Sequence, residues 1–132
     1  MLYVTLFRTL FRKLDLRALD RWGEHRGLQS TIAFSLYRLR SCAQAWSSPE
    51  TLAASAWLET AKDPPTEWQA AHGDFTSSTF RHRVLTPLVH FGLLEERRLP
   101  SEDGWREPVE VRVTPLFDRF LRFDLGAEWS PA

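Results

Sequence analysis

Apolar positions recur along this chain at two different periods, and the change of period marks where helices give way to strands. From Leu2 to about Leu19, residues Tyr3, Leu6, Phe7, Leu10, Phe11 and Leu14 return at spacings of three and four, with Arg8, Arg12 and Asp15 between them. That pattern predicts an amphipathic helix with one buried stripe. The stripe either packs onto its own domain or forms a homodimer. Two glycines in RWGEHRG (21–27) predict a break, and Leu28–Trp46 reads as the next helix. Ser30 or Thr31 is its expected cap, with Ile32, Phe34, Leu36, Leu39, Cys42 and Ala43 on a broad apolar surface. Ser48-Pro49-Glu50-Thr51 is a helix start signal: a hydroxyl accepts from free N–H groups, and proline fits the first position. A short helix is expected from Pro49 to about Thr60.

Residues 62–74 (KDPPTEWQAAHGD) are irregular and acidic, with one or two helical turns around Trp68. A helix capped by Thr76, Ser77 or Ser78 then carries Phe80, Val84, Leu88 and Phe91 as its inward stripe. The same reading puts Ser78, Thr79, Arg81, His82, Arg83 and Thr86 on other faces. Pro87 predicts a kink or a second capped segment from Thr86, and Gly92 a left-handed C-cap. The period then drops to two. Leu93–Leu99 and Val109–Val113 read as antiparallel strands around the polar loop PSEDGWREP, and Thr114 is the expected cap of a last helix with Pro115 at its first position.

Composition supports one domain of 132 residues, 43% of them hydrophobic, with an N-terminal helix over 1–22, a core over 28–123 and a tail over 124–132. Net charge is zero but unevenly spread: residues 1–40 hold eight Lys/Arg against three acids, 41–75 one against five, and 76–132 eight against nine. The basic N-terminal third is either a face for phosphates or an acidic partner, or a solvated helix face. The single Cys42 cannot form an internal disulfide and reads as a small core residue, which points to a reducing, cytoplasmic setting. Arg8, Arg12 and Lys13 interrupt the opening apolar run, so no membrane span or export signal is expected there. His25, His72, His82 and His90 fall in separate contexts. With no phosphate loop, nucleophile elbow or ligand spacing, neither enzymatic activity nor a cofactor or metal is expected.

The stretch Ser78–Arg98, with Arg81, Arg83 and the ending Phe91-Gly92-Leu93-Leu94-Glu95, resembles the recognition helix and first wing strand of bacterial winged helix-turn-helix proteins. Val111-Arg112-Val113-Thr114-Pro115-Leu116 is similar to the second wing strand and the cap that follows it. The resemblance covers about residues 28–123, with helices at 28–46, 49–60 and 77–91. It implies a mainly α fold with a small antiparallel hairpin and an extra N-terminal helix. It also implies a DNA-binding regulator, or a component of a DNA-handling system, whose third helix enters a major groove. Contacts to double-stranded DNA then fall to Ser77, Ser78, Thr79, Arg81, His82 and Arg83, and wing contacts to Arg97, Arg98 and Arg106.

Three features favour a protein partner instead. The wing loop holds Glu102, Asp103 and Glu107, the link between the second and third helices is long and acidic, and the pI is near 6.9. In that second reading the domain is an interaction module within a larger assembly. Trp68, Trp105 and Trp129 are then either interface anchors or covers for the edge of the core.

Overall fold

A two-stranded antiparallel hairpin leans on helical segments whose apolar faces meet around Leu39, Leu52, Trp57, Phe80 and Leu88. The computed structural model describes residues 2–13, 15–19, 27–64, 66–72, 76–101 and 108–123.

The N-terminal segment is less regular than its periodicity predicts. Helix α1 (Leu2–Arg8) runs into a wide π turn, Thr9–Lys13, and a 3-10 turn, Leu16–Leu19, follows. Of its stripe, Phe7 and Phe11 are nevertheless buried within the chain. Phe7 packs on Phe11, Phe91 and Phe120 at ring-centroid distances of 4.9, 5.2 and 5.0 Å. Tilted and edge-on aromatic pairs of this kind add about 0.5–1.5 kcal/mol each beyond the area they bury. Val4 and Leu6 stay on the outside.

The expected helix over 28–46 is divided and shorter: α2 (Gly27–Ser30), a turn at Thr31, and α3 (Ile32–Cys42). Neither Ser30 nor Thr31 caps it. Both hydroxyls donate backwards to the Gly27 carbonyl, at 2.9 and 2.8 Å, so they close the preceding turn. Gly27 stands where a Cβ would meet the Ala61 carbonyl oxygen at 2.5 Å, so only glycine permits this approach of two backbones. Cys42 is half-buried against the core. Helix α4 (Pro49–Ala56) starts as its sequence signal predicts: the Ser48 hydroxyl accepts from Thr51 N–H, with Pro49 in the first turn. Such a cap contributes about 1 kcal/mol. A 3-10 turn, Glu59–Ala61, and helix α5 (Glu67–His72) lead across the irregular region.

The third-helix region is a continuous helical rod in three parts: α6 (Thr76–Phe80), a π turn (Arg81–Leu85) and α7 (Thr86–His90). The kink predicted from Pro87 takes the form of this π turn. Thr86 N–H bonds to the Arg81 carbonyl, five residues back, and the widened backbone accommodates a proline that lacks an N–H and crowds the carbonyl four residues earlier. Gly92, at φ 79°, ends the rod in the left-handed conformation that its C-cap position requires.

Strand β1 (Leu94–Arg98) pairs with β2 (Val109–Val113) in a register that sets Glu95 opposite Arg112 and Arg97 opposite Glu110. A one-residue third strand joins β2: Ser47, in the link between α3 and α4, exchanges both backbone hydrogen bonds with Val111 at 2.9 Å. The bridge fastens the hairpin to the corner between these two helices. Helix α8 (Pro115–Phe120) closes the described chain. Thr114 does not cap it with its side chain; its hydroxyl donates to the Gly92 carbonyl at 2.7 Å, pinning the start of α8 to the end of the rod.

Candidate nucleic-acid interface

The first two turns of the rod, the start of α4 and the hairpin enclose an open cleft of about 600 Å³. Ser77, Ser78, Arg81 and His82 line one wall, Ser48 and Glu50 the second, and Leu99, Pro108, Val109 and Glu110 the third. Four of the residues predicted to touch DNA are thus brought together. Arg81 is half-buried, and its guanidinium has no hydrogen-bond or ion-pair partner among the described residues. His82 is exposed, and its Nδ1 lies 2.7 Å from the Ser78 carbonyl oxygen.

Two of the predicted contacts lie in the interior. Thr79 is 4% exposed and Arg83 is 1% exposed, so neither can reach a duplex from this conformation. Arg83 follows Thr79 by four residues and Phe80 by three, which places it on the flank of the buried stripe. The Leu16–Leu19 turn packs across that flank. Arg83 acts there on the N-terminal segment. Asp15 has its carboxyl lowered to about 2, first by the hydrogen bonds from the Arg17 guanidinium and backbone N–H, and to a smaller degree by the charge of Arg83. Leu16 N–H donates to Gln29 Oε1 at 3.1 Å and ties the same segment to α2. The sequence signal for this burial is a positive charge on the edge of an apolar stripe with an acid elsewhere to meet it. Which acid faces it depends on the tertiary fold.

The wing arginines are largely engaged within the hairpin. Arg97 Nε donates to Glu110 Oε1 at 2.9 Å, and Arg112 pairs with Glu95 on the same sheet face. Both guanidinium carbons lie 4.5 Å from the centroid of the Trp46 ring. Ser47 pairs with Val111, so Trp46 stands beside Arg112, and the face is a ladder of alternating charges closed by an indole. Such contacts add roughly 0.5–1 kcal/mol each when exposed. Reading the sequence missed this role for Trp46, because it depends on the one-residue bridge at Ser47. Arg98, opposite Val109 at the end of β1, is exposed. Arg106, Trp105 and Trp129 lie outside the described residues, and Trp68 is exposed on α5.

Among the described residues no group of three or more His, Cys, Asp or Glu is placed to hold a metal ion, and no helix is long and apolar enough to cross a membrane. Comparison with protein families, curated proteins and solved structures finds no match to this chain.

Proposed function

We propose that the chain is a winged helix-turn-helix domain that binds double-stranded DNA through the outer face of the Thr76–His90 rod, in the manner of a regulator or a DNA-handling component. The observation that carries this reading is the convergence of Ser77, Ser78, Arg81 and His82 on one open cleft beside the hairpin, with Arg81 unpartnered among the described residues. Supporting it are the order α3, Ser47 bridge, α4, rod and hairpin, and the main-chain pairing that fastens the hairpin to the corner between α3 and α4.

Mechanistically, the arginine fork donates to phosphate or to a guanine edge, and the serine hydroxyls adapt to either. Glu50 and Glu110 share the cleft, and Arg97 is already paired. Few free cations among the described residues therefore face the ligand, and binding is weak and sensitive to salt, with a log–log slope of about −2 to −3 for two or three neutralised phosphates. A mobility-shift titration with random-sequence duplex at low salt tests this. Retardation by the wild-type chain and its reduction by Arg81→Ala are expected; no retardation contradicts the reading.

A second reading, a protein-interaction module, is favoured by the self-neutralised hairpin face with Trp46 between two guanidiniums and by exposed Trp68. A partner that co-purifies with the wild-type chain and is lost from Trp68→Ala would favour it. Among the described residues of the N-terminal helix, a homodimer could use the exposed Val4 and Leu6, whereas Phe7 and Phe11 are packed inside.

A further inference from the structure

The chain itself holds His82 in one tautomer. The Ser78 carbonyl oxygen, one turn earlier and 2.7 Å from Nδ1, can only accept, so Nδ1 carries a proton and donates. The Ser78 hydroxyl, 3.4 Å from the same nitrogen, is a weaker neighbour. In the neutral ring the lone pair is therefore left on Nε2, the nitrogen that an incoming ligand can meet on an exposed side chain.

We infer, on the basis of the DNA-binding reading above, that His82 is a protonation-gated phosphate contact: its neutral ring rejects a phosphodiester oxygen and its protonated ring binds one. A lone pair on Nε2 facing an acceptor-only oxygen makes no hydrogen bond. A proton there turns the same geometry into a charge-assisted N–H···O bond without any change of rotamer, because Nδ1 is a donor in both forms. Among the described residues the charged groups facing the cleft are Arg81 from the rod, Glu50 from α4, and Glu110 from β2, the last already paired with Arg97.

The sign follows from linkage. Phosphate binds the protonated ring and not the neutral one, so the added affinity grows as pH falls and is lost as pH rises, and one such charge-assisted contact corresponds to about tenfold in affinity.

Fluorescence anisotropy with a labelled duplex at about pH 5.5 and pH 8 tests this, with His82→Gln alongside and circular dichroism to confirm that the variant folds. The expected result is about tenfold tighter binding by the wild-type chain at the lower pH, with a salt slope steeper by about one. His82→Gln should abolish both differences. Undiminished pH dependence in His82→Gln, or equal wild-type affinity at both pH values, overturns the inference while leaving DNA binding intact. A nitrogen-15 NMR titration showing the neutral ring protonated at Nε2 overturns it independently of DNA. A wild-type chain that holds no duplex at either pH removes the DNA-binding reading itself, and the inference with it.

Discussion

The hairpin and the rod are both rich in arginine, and they use it differently. On the hairpin, residues of opposite charge stand directly across the two strands, and Arg97 and Arg112 find Glu110 and Glu95 with Trp46 beside them. On the rod, Arg81 and Arg83 are two residues apart in the π turn, and one lines the cleft while the other is buried in the interior. Free charge is therefore set by partners and periodicity. A tally of arginines does not locate it: of the described arginines predicted to contact DNA, Arg81, Arg83, Arg97 and Arg98, it is Arg81 that lines the cleft.

The largest test of this contrast is Arg83→Ala. Removing a buried charged side chain with its packing should lower unfolding free energy by about 3 kcal/mol, whereas Arg81→Ala should stay within about 0.5 kcal/mol. Urea denaturation of both variants checks it; equal losses would erase the distinction. Gly92→Ala comes next. It forces a side chain onto a φ of 79° at the junction of rod and hairpin, at a cost of about 1–2 kcal/mol in the same assay. Arg97→Ala should cost about 0.5 kcal/mol, as befits an exposed pair, and should alter tryptophan fluorescence because its guanidinium lies over Trp46. The smallest effect concerns acid. The lowered Asp15 carboxyl contributes stability that is present above its ordinary value near 3.9 and lost as pH falls toward about 2, so Asp15→Asn should flatten that part of an acid-unfolding curve.

Local chemistry was legible in the sequence wherever a short motif decides the backbone. Ser48-Pro49 starts a helix, Gly92 ends one, and the alternation around Val109, Val111 and Val113 marks a strand. Features that need distant segments to meet were illegible. Arg83 is buried because the N-terminal segment covers its flank of the rod, and Trp46 lies against the hairpin arginines because Ser47 bridges to Val111. Thr114 carries a cap signature, but its hydroxyl makes no cap hydrogen bond and donates to the Gly92 carbonyl. For the candidate site, the serines, Arg81 and His82 follow from helical periodicity. Thr79 and Arg83 do not, since one apolar stripe cannot tell which of its two flanks a third segment will cover.

The central claim is that the outer face of the rod binds duplex DNA through Arg81. Its most direct test is the dependence of duplex affinity on salt, measured by anisotropy between about 50 and 200 mM for the wild-type chain and Arg81→Ala. The account predicts a linear log–log dependence whose slope becomes shallower by about one in the variant, with affinity lowered about tenfold or more. Identical slopes and affinities for the two proteins, or no wild-type binding at the lowest salt, would contradict it.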